Sequence, residues 1–325
     1  MHSVFCAAAA GFGRQAVQPL PVPHNHPASL NIRDPDLVIS ALEGGAHANL
    51  HAKCRKGSTD VIAAPGELIA TGDLHDNPRS MARLLDLAAI DPPPDAGEPP
   101  SHLLLHELIH PDELEFEGMD YSYRALVRAA AAKASFPEHV HTLLANHELA
   151  QIAGAGIVKN GMNVVKAFNA GVHHLFGNRS GEVTRAINAF IRSMPLAVRW
   201  VGGSSATRDV LCCHSLPEPD LLERFDPTIL DRAWTDEDAQ PRRGSAHLMV
   251  WGRGHDQATL DHLADAWNVG LFILGHEKAE HGALPVGTNA IVLNTDHDNA
   301  VYVPLDLSTP VDQQRVWSRT RKLFD

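Results

Sequence analysis

A chain of 325 residues with 44% apolar and 20% charged positions can bury a sizeable core, as one large α/β domain or two smaller ones. A net charge of −12 argues against a nucleic-acid surface, which needs clustered Lys and Arg, and no apolar run reaches the ~18 residues of a membrane span. Cys6, Cys54, Cys212 and Cys213 form no CxxC pair or disulfide framework, and the short apolar stretch Val4 to Ala10 has no Lys or Arg before it, so a soluble cytoplasmic protein is expected.

Residues 1 to 33, with Pro19-Leu20-Pro21-Val22-Pro23-His24-Asn25-His26-Pro27, read as a flexible or loosely docked arm ahead of one domain spanning 34–325. A helix is expected from Asp36 to Leu42, stopped at Gly44-Gly45. Val61 to Ala64 and Leu68 to Ala70 predict a hairpin or a pair of strands. The second run enters Thr71-Gly72-Asp73-Leu74-His75-Asp76-Asn77, and Pro78 to Ala88 has apolar residues at helical spacing with a proline in its first turn. This is strand, tight loop, helix, with Asp73 and His75 at the strand's C-terminal end, where α/β sheets carry their sites. A carboxylate and an imidazole two residues apart can grip one divalent ion. An Asp-capped turn with an incidental histidine is the plainer reading.

Asp91 to Pro100 is a loop by composition. Leu103 to Leu105 predicts a buried strand leading to His106-Glu107-Leu108-Ile109-His110-Pro111, and Tyr121 to Ala134 a helix. Val140 to Leu144 then delivers Ala145-Asn146-His147-Glu148. Repeated strand–loop–helix units define an α/β layered fold. Residues 151 to 200 read mostly as helix. Asp209 to Cys213 is a strand ending at His214-Ser215-Leu216-Pro217, and the apolar Leu248 to Trp251 ends at Gly252-Arg253-Gly254. A helix over Thr259 to Trp267 precedes a strand, Leu271 to Leu274, that delivers Gly275-His276-Glu277. Ala290 to Asn294 and Ala300 to Leu305 predict a closing hairpin over Asp298-Asn299, and the last dozen residues are peripheral.

Of the 21 histidines, few sit in motifs. Taken singly, His214 and His276 read as core histidines bonded to backbone. Five strand exits nevertheless carry ligand-type residues: Asp73 with His75, Glu107, Asn146 with His147, His214, and His276. The blocks GDLHDN, HELIHPD, ANHE, CHSLPE and GHEK resemble, in order, the GDxHG, GDxxDRG, GNHE, single-His and GH blocks of the calcineurin-like metallophosphoesterase superfamily, nearest its serine/threonine-phosphatase branch, over about residues 67 to 305.

The resemblance implies a two-sheet β-sandwich flanked by helices, and two divalent ions (Mn, Fe or Zn) acting on a phosphorylated substrate. It puts Asp73 and His75 on one ion, Asn146, His214 and His276 on the other, and Glu107 between them. His147 aligns with the general acid that protonates the leaving oxygen. Such donors suit those metals, and two ions can clamp a phosphoryl oxygen and activate water.

The second block departs from the pattern. Glu107 stands for an aspartate, and His110 and Pro111 stand where the family has the Asp that orients the catalytic histidine and the Arg that binds phosphate. Asp76, Asp112 and Glu148 are candidates for the first role, Arg199 and Arg253 for the second. A non-catalytic, metal-binding regulatory descendant is therefore an alternative. His106-Glu107-Leu108-Ile109-His110 also spells the HExxH signature of zinc proteases, although Pro111 disfavours the helix this needs.

Overall fold

Two sheets organise the chain, which a computed structural model describes over residues 30–90, 100–111, 118–154, 158–159 and 162–324. Most of the predicted arm, and the predicted loop up to residue 99, lie outside those residues. The described end of the arm is docked: Leu30 and Ile32 pack on the core, and the Tyr123 hydroxyl donates to the Ile32 carbonyl at 2.9 Å.

In chain order the first half runs α1 (Pro35–His51), β1 (Arg55–Lys56), β2 (Thr59–Ile62), β3 (Glu67–Ala70), α2 (Pro78–Leu87), β4 (His102–His106), α3 (Tyr123–Ser135), β5 (Val140–Leu143) and α4 (Asn146–Ala153). A short ribbon, β6 (Val158–Lys159) and β7 (Met162–Asn163), leads to α5 (Val164–Phe176) and α6 (Ser180–Ser193). Then come β8 (Ala197–Trp200), β9 (Asp209–Cys213), α7 (Ser245–Trp251), α8 (Gln257–Trp267), β10 (Val269–Leu274), β11 (Ala283–Val286) and β12 (Ala290–Leu293). The chain closes with β13 (Val301–Asp306), α9 (Gln313–Arg319) and β14 (Arg321–Lys322).

One sheet has seven strands in the order β1-β2-β8-β9-β10-β12-β11, the other five in the order β14-β13-β3-β4-β5. Successive side chains on a strand point to opposite faces, and here both faces are apolar. Leu104, Val210, Cys212, Leu271 and Ile273 join a cluster drawn from both sheets, whereas Leu103, Leu105, Leu211, Cys213 and Leu274 face the helices. This is why these strands read as continuous apolar runs. The layers are helix, sheet, sheet, helix, as expected for the two-sheet sandwich.

Two local expectations change, the helix stop and the closing hairpin. α1 runs through Gly44-Gly45, because a Cβ on Gly45 would lie 2.7 Å from Ala130 Cα of α3; the glycine permits a close helix crossing and does not end the helix. β2 and β3 belong to different sheets, as do β12 and β13, so neither pair is a hairpin. The apolar 248–251 segment lies in α7, and the described part of 151–200 is mostly helix as expected, ending in strand β8. Among the described residues no helix is long and apolar enough to cross a membrane.

A fully buried charge cluster joins β2, α3 and β5. Asp60 Oδ2 lies 2.8 Å from His141 Nδ1 and 3.5 Å from Lys133 Nζ, and His141 Nε2 lies 3.0 Å from His102 Nδ1. Burial pushes Asp60 upward, but the His141 hydrogen bond and the Lys133 and Arg55 cations hold it well below the usual carboxylate range.

Candidate metal centre

β3, β4 and β5 are parallel neighbours in one sheet, and β9 and β10 are parallel neighbours in the other. Parallel strands release their C-terminal ends at one edge, which is where binding residues collect in α/β folds. Asp73 follows β3 and bridges to both His106 and Asn294. Gly72 is required there: a Cβ would fall 1.9 Å from the Leu293 carbonyl oxygen. Asn77 caps α2 by accepting from the Arg79 and Ser80 N–H groups. Glu107 follows β4, Asn146 and His147 open α4, His214 follows β9, and His276 follows β10.

All of these side chains converge. His214 Nε2 lies 2.7 Å from Asn146 Oδ1, 3.1 Å from His276 Nδ1 and 3.4 Å from Glu107 Oε2. Its Nδ1 lies 3.4 Å from Asp73 Oδ1, and both Asp73 oxygens accept from the His276 backbone N–H at 3.0 Å. Glu107 turns Oε2 toward His75 Nε2 at 3.8 Å and Oε1 toward His147 Nε2 at 3.7 Å. With Nδ1 of His75 3.3 Å from the Ile109 carbonyl, that proton donor is committed and Nε2 presents its lone pair.

These contacts contain more electron-rich atoms than protons. One imidazole nitrogen cannot donate to an amide oxygen, a carboxylate and a second imidazole at once, and the buried His276 Nε2 has no hydrogen-bond partner among the described residues. Burial pushes His106 down to about 4 and His276 down to about 2, so both are neutral lone-pair donors at neutral pH. Burial also opposes ionisation of Asp73, yet the His214 hydrogen bond and the surrounding imidazoles hold it well below the usual range. The donor set fits metal ions. Three groups have ligand atoms within 4.8 Å of one another: Asp73, His106, His214; His75, Glu107, His147; and Glu107, His214, His276. Glu107 and His214 each belong to two of them.

A fourth such group, Cys54, Asp60 and His141, belongs to the buried charge cluster. There Lys133 and Arg55 already supply the positive charge, and burial pushes the Cys54 thiol up to about 12.

The backbone around the centre is strained. His75 (φ 42°), Asp76 (55°), Glu107 (48°), His110 (61°) and His276 (67°) adopt the left-handed region, which costs non-glycine residues energy and clusters at functional sites. A cavity of about 630 Å³ opens over it, lined by Asp73, His75, His276, Arg253, Lys278 and Asp296 among others. Arg253 donates through Nη1 to the His276 carbonyl at 2.9 Å. Arg199 is not brought to the centre: it pairs with Asp209 at 3.0 Å, at the opening end of β9, a strand length of roughly 17 Å from His214.

The HExxH reading is overturned by this geometry. β4 ends at His106, Glu107 and His110 are left-handed, and His110 Nε2 faces Gln151 Oε1 at 3.3 Å. Of the proposed orienting carboxylates, Asp76 accepts from Arg124 at 2.8 Å, and Glu148 accepts from the Leu108 and Ile109 N–H groups at 2.7 and 3.2 Å. Asp112 lies outside the described residues. The His147 ring sits against those of His75 and His110, at centroid distances of 5.2 and 5.1 Å.

Sequence reasoning missed His106 as a member of the centre, although period two along β4 places it on the same face as Leu104. It also missed Asp296, which the predicted hairpin treated as turn.

The chain superposes on a protein serine/threonine phosphatase from Saccharomyces cerevisiae with similarity to human phosphatase PP5, at a TM-score of 0.60, 13% identity, and coverage of 87% of this chain and 88% of that one. The chain has the calcineurin-like fold. A cold-active protein-tyrosine phosphatase of a psychrophilic Shewanella is also similar, with a TM-score of 0.52, 15% identity, and 79% and 80% coverage. No protein-family model matches the sequence, and no curated protein matches it.

Proposed function

We propose that this chain is a metal-dependent phosphoesterase that hydrolyses a phosphomonoester at a two-metal centre. The observation that carries this reading is the meeting of Asp73, Glu107, Asn146, His214 and His276 at one buried cluster beneath an open cavity. The phosphatase fold of the structural neighbours supports it.

Asp73 and His75 would hold one ion, and Asn146, His214 and His276 the other, with Glu107 reaching both. When bound, the ions supply the Lewis acidity that lowers the barrier to attack of water on phosphorus. His147, at the N-terminus of α4 and beside Glu107, is placed to give a proton to the departing oxygen. Arg253 is the phosphate contact, supported by its place on the cavity wall. Neutral His214 and His276 add no negative charge, so the loaded centre stays attractive to a phosphate. The unpaired state of the described cysteines supports a reducing, cytoplasmic setting.

Metal analysis together with an aryl-phosphate assay across Mn, Zn and Fe tests the reading. Bound metal with turnover is expected. Bound metal without hydrolysis of any phosphoester would leave the regulatory alternative, and a protein that binds no metal would end the proposal.

A further inference from the structure

Asp296 lines the metal cavity together with Asp73 and His75, yet the ligand assignment gives it no task. The segment that carries it is stitched to the loop that carries those two residues. The Gly72 N–H donates to Thr295 Oγ1 at 2.8 Å, the Thr295 N–H donates to the Asp73 carbonyl at 3.1 Å, and Asn77 Nδ2 donates to the Asp296 carbonyl at 2.8 Å. On its far side the segment is held as well: the Thr295 hydroxyl donates to the Val301 carbonyl at 2.8 Å, and Asn294 Oδ1 accepts from the Ala279 N–H at 2.6 Å. Asp296 is thus placed before anything binds.

Its carboxylate is less well supplied than its backbone. Oδ1 is buried and has no hydrogen-bond partner among the described residues. A buried carboxylate oxygen without a donor is costly, and calls for one from outside the chain. The charged groups that act on Asp296 include His75, Asp73 and His297, so the proposed ligands of one ion stand closest to that need. Among the described residues Asp296 joins none of the groups whose ligand atoms lie within 4.8 Å of one another, which puts it outside the direct ligands.

Resting on the two-metal reading, we propose that Asp296 is an outer carboxylate of the ion held by Asp73 and His75, accepting a hydrogen bond from a water on that ion. A carboxylate so placed offsets part of the ion's charge and fixes the water it accepts from, and both effects raise the affinity of the site. The two ions then differ in charge environment. Asp73, Glu107 and Asp296 set three carboxylates about the first. Asn146, His214 and His276 give the second neutral donors besides Glu107.

Titration of the metal-stripped full chain with Mn in a calorimeter reads each binding step. The wild type should take up two ions. Asp296→Asn, which keeps the shape and removes the charge, and Asp296→Ala should each weaken one step about 10- to 100-fold and leave the other unchanged. Asp296→Glu should recover part of the loss. Asp298→Asn removes an exposed carboxylate from the same cavity wall and should move neither step by more than about threefold, because solvent screens it. Two backgrounds identify the ion: Asp296→Asn should still weaken the ion retained by His276→Ala, and should change nothing in His75→Ala.

Wild-type affinities in both Asp296→Asn and Asp296→Ala overturn the assignment. An equal loss in Asp298→Asn also overturns it, by reducing the effect to the net charge of the wall, and an effect confined to the His75→Ala background moves Asp296 to the other ion. In each of these cases two ions still bind and the phosphoesterase reading stands. A wild-type chain that takes up no metal ends both.

Discussion

Glu107 Oε2 lies 3.4 Å from His214 Nε2, so a carboxylate delivered by the five-stranded sheet meets an imidazole delivered by the seven-stranded one. Glu107→Gln keeps the volume but removes the anion that would offset the two proposed cations. It should lower metal content by at least one ion per chain and turnover about 100-fold or more. Elemental analysis of the purified variant decides this: full occupancy would remove Glu107 from the bridging position.

His147 stands within ligand distance of Glu107 and His75, yet its proposed role is proton donation. His147→Ala should therefore spare the metal and lower turnover by about 10²–10⁴-fold on an alkyl phosphate. The loss should be smaller on an activated aryl phosphate, whose leaving group departs without a proton. Equal losses on both, or loss of metal, would make His147 a ligand and not an acid.

Acid stability follows from the buried imidazoles. Burial pushes His102 down to about 3 and His106 down to about 4, whereas both titrate near 6.5 in an unfolded chain. Below that pH the unfolded state takes up protons the folded state refuses. Stability is thus fullest above about pH 6.5 and falls toward pH 4, by up to about 1.4 kcal/mol per pH unit for each imidazole. The lowered Asp60 acts further down, contributing above about pH 4 and losing its contribution as pH falls through its folded value. Denaturant unfolding in chelator from pH 7.5 to 4.5 measures the slope. His102→Phe should flatten it, and an unaltered slope would assign the protons elsewhere.

Gly45 tests the helix crossing that replaced a predicted stop. Gly45→Ala sets a methyl 2.7 Å from Ala130 Cα, so α1 and α3 must part. The expected cost is about 1–3 kcal/mol in unfolding free energy, despite the better helix propensity of alanine. A stabilised variant would show that the crossing has room to spare.

The strand exits were legible because a strand buried on both faces is a short apolar run, and the polar residue that ends it is conspicuous. Asp73, Glu107, Asn146, His214 and His276 were found that way. Sheet membership was not legible: nothing in the runs around 59–70 or 290–305 says that β2 and β3, or β12 and β13, part company. Gly45 misled because a glycine that stops a helix and one that admits a neighbouring helix look the same in a sequence. Arg199 misled because charge alone does not say which end of a strand its side chain serves. His106 was recoverable from alternation along β4, but the HExxH spelling drew it into a different pattern.

On the proposed assignment one of the two ions would be a rivet, because its ligands are divided between the sheets. Asn146 and Glu107 come from one layer and His214 and His276 from the other, so chelation should loosen the sandwich itself, and metal a thousandfold above its Kd should add about 4 kcal/mol to unfolding. A starved chain would open more often to proteases, and its cellular abundance would track the supply of metal.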